Sequence, residues 1–117
     1  MGNFKELRVW QEGVDLSVNI YEETIKLPFS KDFGLCNQIR RASVSIASNI
    51  SEGDERGTIK EALHFFNIAK GSAAEVITQL HIAHKIGYIE TSKFKKLEDQ
   101  SEKIRAILKN LIKKRGG

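Results

Sequence analysis

Apolar residues recur at helical spacing on two sides of the first segment of the chain. At about 100° per residue, one stripe consists of Leu7, Trp10, Val14, Val18, Tyr21 and Ile25. A second stripe, on roughly the opposite side, consists of Val9, Leu16, Ile20 and Leu27. A surface helix of a small monomer needs only one apolar stripe, about 100° wide. We therefore expect the second side to be covered by something further, most simply another copy of the same chain.

The same spacing predicts four helices, over residues 5–26, 35–52, 58–86 and 91–114. The first helix is expected to stop at Leu27, because Pro28 disfavours a helical conformation in the residue before it. Short connections between long helices favour antiparallel neighbours. The sequence thus predicts an all-α fold, an antiparallel up-down-up-down four-helix bundle, with residues 1–117 forming a single domain.

Local signals mark three of the predicted helix ends. Thr58 and Glu61 have the spacing of a capping box, in which a hydroxyl and a carboxylate satisfy free backbone N–H groups. Gly87 is expected just past the end of the third helix, where a left-handed conformation favours glycine. Thr91 or Ser92 is expected to cap the fourth helix.

The apolar positions of the later helices divide into core and outer faces. The predicted core of the second helix consists of Leu35, Ile39, Ala42, Ile46 and Ile50, and that of the third of Ile59, Leu63, Phe66, Ala73, Ile77 and Leu80. The fourth helix is nearly single-faced, with Phe94, Leu97, Ile104, Leu108, Leu111 and Ile112. The second faces of the first and third helices form the predicted oligomer interface, which consists of Val9, Leu16, Ile20, Leu27, Phe65, Ile68, Ile82 and Ile86.

Composition indicates the cellular compartment of the protein. The single cysteine, Cys36, allows no disulfide within the chain, which favours a reducing compartment. No run approaches the roughly 20 apolar residues that span a bilayer, and the N-terminus has no apolar signal core. We therefore expect a cytoplasmic protein with no membrane partner.

Positive charge is concentrated toward the C-terminus. Residues 1–84 contain nine Lys and Arg against eleven Asp and Glu, whereas residues 85–117 contain ten against four. This asymmetry is typical of a polyanion-binding surface. It also fits a solvated helix face, because Lys and Arg suit the C-terminal end of a helix.

The polar side of the second helix is unusual in its choice of residues. It consists of Asn37, Gln38, Arg41, Ser45, Ser48, Asn49 and Glu52. Serine and asparagine are poor choices for a merely solvated helix. They suit a hydrogen-bonded packing face, inside the bundle or between subunits. The alternative interpretation is a binding face on which Arg40 and Arg41 hold phosphate or carboxylate.

No catalytic or metal-binding constellation emerges from the sequence. His81 and His84 are three residues apart on the third helix, but no Glu-x-x-His motif accompanies them. Lys70 falls near the core stripe, where it is expected to extend its ammonium group outward or to pair with a carboxylate. The sequence therefore predicts a protein that is not an enzyme and binds no metal or cofactor.

Several motifs in order resemble a known family of bacterial four-helix bundle proteins. That family is named for the intervening sequences of large-subunit (23S) ribosomal RNA genes. The matching stretches are Phe4–Gln11, Gln38–Ser45, Ser48–Gly53, Ile68–Ser72 and Gly87–Ile89, so the resemblance extends from Phe4 to about Ile112. The family pattern leads us to expect Thr where Cys36 stands and Pro where Ala47 stands.

The resemblance implies a homo-oligomeric ring, expected to be a homopentamer, and it brings no catalytic residues. Genomic context in the family suggests nucleic-acid binding. The candidate phosphate-binding residues are Arg40, Arg41, Lys109, Lys113, Lys114 and Arg115, none of which is expected to read bases. The alternative function is a protein-interaction module, for example a scaffold accessory to a reverse transcriptase or a ribonucleoprotein, without direct nucleic-acid contact.

Overall fold

Four long helices account for most of residues 3–117, which are the residues that the computed structural model describes. They are α1 (Arg8–Thr24), α2 (Phe33–Asp54), α3 (Ile59–Lys85) and α4 (Thr91–Lys114). Two short 3-10 helices, Phe4–Glu6 and Phe29–Lys31, precede α1 and α2. No strand occurs in this part of the chain, and the molecule measures 44 × 20 × 20 Å. The all-α expectation is confirmed.

Each helix packs beside its neighbours in sequence, and α1 also contacts α4. Lys103 of α4 bonds to Glu12 of α1, and Gln100 of α4 bonds to Asn19 of α1. Residue numbers thus rise along α1 as they fall along α4, as they do in antiparallel neighbours. A core of aliphatic and aromatic side chains fills the space between the four helices.

The helix ends follow their caps more closely than the hydrophobic pattern. Thr58 caps α3 by accepting the backbone N–H of Glu61, as predicted. The N–H of Gly87, whose φ is 86°, bonds to the carbonyl of His84 and the N–H of Tyr88 to that of Ala83, which closes α3 as a Schellman motif. The pattern did not indicate Asp32, whose side chain accepts the N–H of Leu35 and starts α2 two residues before the predicted start.

The predicted cap of α4 is wrong. The N-cap residue is Glu90, and it makes no capping hydrogen bond through its side chain. The two hydroxyls have other partners: Thr91 bonds to the ring of His84, and Ser92 donates to the carboxylate of Glu90. The bond between Thr91 and His84 connects the start of α4 to the end of α3.

Many of the buried residues of α3 are small. Its buried positions are Ala62, Phe66, Ala69, Ser72, Ala73, Val76, Leu80 and Ala83. The predicted core residue Ile59 is wrong, because it begins α3 at the end of the bundle and remains 64% exposed. Alanine and serine side chains allow neighbouring helices to approach α3 closely.

Candidate functional site

A large apolar groove runs between α1 and α2 on the outside of the bundle. Its volume is about 610 Å³. We call it the apolar groove, and its lining residues are Phe4, Trp10, Val14, Ser17, Val18, Tyr21, Glu22, Ile25, Val44, Ala47, Ser48 and Ser51. Val18 is 51% exposed and Ile25 is 69% exposed. Bulky apolar side chains thus line the groove from Trp10 to Ile25, and those of Val18, Tyr21 and Ile25 are exposed to water.

The two apolar stripes of α1 are real, but their predicted roles are reversed. Val9, Leu16 and Ile20, which were predicted to form an oligomer interface, are buried in the core of the protomer. The reason is that Gly13 and Thr24 complete their stripe and let α1 approach α2 closely. A Cβ at Gly13 would lie 3.3 Å from the side chain of Ile46. The bulkier stripe is the one left outside.

The predicted second face of α3 does lie at the surface. Ile68, Ile82 and Ile86 are all exposed, as is Leu27 beyond the end of α1. Phe65 is half-buried beneath the guanidinium of Arg56, 4.5 Å from the ring centroid. These residues remain candidates for contact between copies.

Arg40 is held against α1. Its Nε donates to the hydroxyl of Thr24 at 2.8 Å, and its guanidinium lies 4.8 Å from the centroid of the Tyr21 ring. Both contacts fix Arg40 at one end of the apolar groove. Its guanidinium is therefore less available to a phosphate than the sequence suggested.

Ser45 and Asn49 of α2 form a hydrogen-bonded seam with Ser72 of α3. The hydroxyls of Ser45 and Ser72 are 2.9 Å apart. Asn49 donates to both the hydroxyl and the backbone carbonyl of Ser45. This seam accounts for part of the polar side of α2 as a packing face, one of the two interpretations of the sequence.

A second cavity, of about 330 Å³, lies next to this seam. We call it the polar cleft, and its lining residues are Gln38, Arg41, Ala42 and Ser45 of α2 and Glu75 and Gln79 of α3. Arg41 and Glu75 bring opposite charges to one cleft. The Oε1 atom of Gln79 is out of contact with solvent and has no hydrogen-bond partner within the described chain.

The outer side of α4 presents positive charge. Lys109, Lys113 and Lys114 are exposed, and none has an ion-pair partner within residues 3–117. Lys109 also lines a groove of about 350 Å³ with Lys70, Glu102, Arg105 and Ala106. Lys70 is half-buried there, which is consistent with an ammonium group that extends outward from the core stripe.

Arg115 differs from the other candidate phosphate ligands because it has a partner inside the protomer. Its Nη2 lies 3.1 Å from Oδ1 of Asp54, whose side chain is almost fully buried. The guanidinium also lies over the ring of Phe66. Arg115 is therefore corrected from a free surface cation to a residue that joins the end of α4 to the end of α2.

Asp32 links the start of α2 to the turn after α3. The N–H of Leu35 and the hydroxyl of Tyr88 both donate to its carboxylate, and they hold the pKa of Asp32 below its usual value. The same bond raises the pKa of Tyr88. Burial raises the pKa of the nearby Cys36 thiol, which donates to the carbonyl of Phe29.

Two histidines of α3, His81 and His84, contact α4. His81 bonds to the carboxylate of Glu98, and the ring of His84 stacks on Phe94 with 4.4 Å between centroids. Within residues 3–117 no group of three or more His, Cys, Asp or Glu side chains is placed to hold a metal ion. Of the helices in this region, none combines the length and hydropathy of a bilayer-spanning segment.

Sequence reasoning singled out neither Glu75 nor Gln79. The available signal was their spacing of four residues on α3, which places both on one face of the helix, as the spacing of three residues does for Gln38 and Arg41 on α2. Each pair occupies one side of its helix. Only the packing of α2 on α3 shows that the two pairs line the same cleft.

The chain is similar to a protein family and to solved structures. The family model described as 23S rRNA-intervening sequence protein matches residues 5–110. A crystal structure of a protein with unknown function from the S23 ribosomal protein family of Bacteroides thetaiotaomicron VPI-5482 is similar, with a TM-score of 0.83 and 25% identity. That match covers 90% of this chain and 98% of the other. A comparison with curated proteins found no match.

Proposed function

The chain belongs to the 23S rRNA-intervening sequence protein family, and from that premise we propose that it is a non-enzymatic, self-assembling bundle that binds RNA through α4. One observation carries the proposal: the uncovered apolar surface and the unpaired basic surface lie on different helices. The apolar groove belongs to α1 and α2, whereas Lys109, Lys113 and Lys114 belong to α4. A protomer can therefore contact another copy and RNA at the same time.

Assembly is the first part of the proposal. The apolar groove exposes Val18, Tyr21 and Ile25, and contiguous apolar patches of this kind mark interaction sites. The expected assembly is a ring of five copies. Five copies multiply the net charge of +4 per chain, so weak phosphate contacts made by several protomers add up.

RNA binding is the second part. Exposed lysines without internal partners neutralise phosphates and release counterions, which supplies affinity without sequence preference. The proposed compartment is the cytoplasm, where a lone thiol such as Cys36 stays reduced.

Sedimentation velocity tests assembly. The double variant Val18→Glu/Ile25→Glu places two charges in the apolar groove and is expected to sediment as a folded monomer, with the wild-type helical circular dichroism signal. Asn110→Glu, on the exposed side of α4, is the control and is expected to assemble as the wild type does. A wild-type chain that sediments as a monomer at micromolar concentration contradicts this part.

Fluorescence anisotropy with a structured RNA at several salt concentrations tests binding. Lys109→Ala/Lys113→Ala is expected to lower affinity for all RNA sequences alike and to reduce the salt slope by about 1 for each lost phosphate contact. Lys31→Ala is the control, since Lys31 is exposed before α2, at the opposite end of the bundle. Absence of binding at low salt excludes RNA binding and leaves the protein-interaction module as the function to test.

A further inference from the structure

The polar cleft holds four side chains that have no bonding partner in the described part of the protomer. Within residues 3–117, Gln38, Arg41, Glu75 and Gln79 take part in no side-chain hydrogen bond and no ion pair. Arg41 and Glu75 share the cleft without bridging it. The Ser45–Ser72 bond seals the interface beside them. The cleft thus presents donors and acceptors whose complements must come from outside the protomer.

The chemistry of the cleft argues against a phosphate ligand. Arg41 alone suits an anion, but the carboxylate of Glu75 repels one from the same space. The shielded Oε1 of Gln79 requires a donor, which a phosphate diester lacks. The cleft therefore suits a neutral group that offers acceptors along one edge and donors along the next.

We propose that the polar cleft binds the base of an unpaired guanine, so that this protein reads one base of the RNA that α4 holds by its phosphates. Guanine presents N7 and O6 as adjacent acceptors and N1–H and N2–H₂ as adjacent donors. Arg41 donates to N7 and O6, the commonest specific contact to guanine, and Glu75 accepts from N1–H and N2–H₂. Gln38 and Gln79 supply further donor and acceptor atoms around the base.

Guanine fits better than the other RNA bases because it alone offers two neighbouring acceptors and two neighbouring donors. Sequence-specific recognition of RNA targets unpaired bases, whose Watson–Crick edges are free. The cleft volume of about 330 Å³ is at the small end of the roughly 300–1,000 Å³ typical of ligand pockets. This inference rests on the proposed RNA binding and replaces the expectation that Arg41 contacts only phosphate.

Anisotropy titrations with one RNA hairpin test the inference. The hairpin carries a single guanine in an otherwise uridine loop, and matched hairpins carry inosine, 7-deazaguanine or adenine at that position. Inosine lacks the N2 amine that faces Glu75, and 7-deazaguanine lacks the N7 acceptor that faces Arg41. Each replacement is expected to weaken binding by about tenfold, with the salt slope unchanged.

Two variants assign the preference to the cleft. Glu75→Gln is expected to abolish the difference between guanine and inosine. Arg41→Ala removes the donors to N7 and O6, so it is expected to abolish the difference between guanine and 7-deazaguanine. Glu55→Gln, an exposed carboxylate at the end of α2, is the matched control and is expected to keep both differences.

The outcomes separate this inference from the function on which it rests. Equal affinity for all four hairpins, with normal salt dependence, overturns the guanine site and leaves RNA binding by α4 intact. A guanine preference that persists in both variants places the base elsewhere and also overturns the inference. Absence of binding to every hairpin at low salt overturns the proposed RNA binding and the guanine site together.

Discussion

The apolar groove and the polar cleft both border α2, yet they are lined by opposite chemistry. The groove, between α1 and α2, is about 610 Å³ and exposes Val18, Tyr21 and Ile25. The cleft, between α2 and α3, is about 330 Å³ and exposes amides and opposite charges. One helix can do this because its 3.6-residue period sends Val44 toward one neighbour and Ser45 toward the other.

The interfaces beside the two cavities differ in the same way. Close to the groove, Gly13 of α1 meets Ile46 and Ala47 in an apolar contact. Close to the cleft, Ser45 and Ser72 share a hydrogen bond. Exposed apolar surface is costly in water and favours burial against another surface. The exposed polar side chains of the cleft are hydrated, whereas the Oε1 atom of Gln79 is shielded from solvent and needs a donor from a group of matching geometry. The first surface favours stable assembly, and the second favours selectivity.

The largest expected effect separates the inner stripe of α1 from the stripe that lines the groove. Leu16→Ala removes a fully buried side chain and is expected to lower the free energy of unfolding by about 2–5 kcal/mol, independently of protein concentration. Val18→Ala is expected to cost about 0.5 kcal/mol or less at low concentration, and more as copies assemble. Urea unfolding at several protein concentrations measures both. A larger loss for Val18→Ala in dilute protein would reverse the assignment of the stripes.

The next effect concerns the C-terminal end of α2, where Asp54 lies. Arg115→Ala leaves the carboxylate of Asp54 buried without its cation, and is expected to cost about 1–3 kcal/mol. The partial exposure of the guanidinium keeps the cost below that of a fully buried pair. Lys114→Ala, one residue away and exposed, is the control and is expected to change the free energy of unfolding little. Equal losses for the two variants would show that the ion pair contributes nothing specific.

The seam beside the cleft is expected to have a smaller effect. Ser45→Ala is expected to cost about 1 kcal/mol, since it leaves the buried hydroxyl of Ser72 without its partner. Ser72→Ala is expected to cost less, since the hydroxyl of Ser45 keeps its bond from Asn49. The double variant is expected to cost less than the sum, because the Ser45–Ser72 bond is lost only once. Chemical unfolding of all four proteins completes the cycle, and strict additivity would argue that the two hydroxyls do not interact.

The smallest effect is a pH dependence at the start of α2. The pKa of Asp32 is lowered by the N–H of Leu35 and the hydroxyl of Tyr88. Its stabilising contribution is therefore present above its ordinary value near 3.8 and is lost as pH falls through the lower folded value. Tyr88→Phe removes one of these donors, so the free energy of unfolding of the variant is expected to fall less than that of the wild type between pH 5 and strong acid.

At alkaline pH the free energy of unfolding is expected to depend on pH in the opposite direction. The pKa of Tyr88 is raised by its bond to Asp32. Its contribution is therefore present below the ordinary value near 10 and is lost as pH rises through the higher folded value. Tyr88→Phe is expected to abolish this loss of stability at alkaline pH. Unfolding free energies measured across both pH ranges check the two signs, and an unchanged profile in the variant would contradict both.

Much of the fold could be predicted from the sequence because the spacing of apolar residues predicts where helices form and which face each one buries. The stripes of α2 and α4 correctly named Ile39, Ile46, Ile104 and Leu108 as core residues. The roles of the two stripes of α1 could not be predicted, because the choice depends on how closely α1 approaches α2. Gly13 allows the close approach because it has no side chain, and for the same reason it does not appear in a hydrophobic pattern.

The candidate site was less predictable than the fold. Arg40 and Arg41 are adjacent in sequence, but Arg40 is held by Thr24 and Tyr21 whereas Arg41 lines a cleft opposite Glu75. The partners of these side chains come from other helices, so their availability appears only when the helices are packed. The same holds for Arg115, whose partner is 61 residues away in the chain.

The concave shape of the apolar groove has a consequence for symmetry. In a two-fold dimer formed through this surface, the apolar grooves of the two copies would face each other and leave a void between them. A convex surface of a neighbouring copy can occupy the groove of the first copy. The groove of that neighbour is then free to bind a third copy in the same way. Such growth ends only if the rotation between successive copies divides a full circle, and otherwise it continues as a helical filament. A small change in the tilt between copies would therefore decide between a closed particle and a fibre.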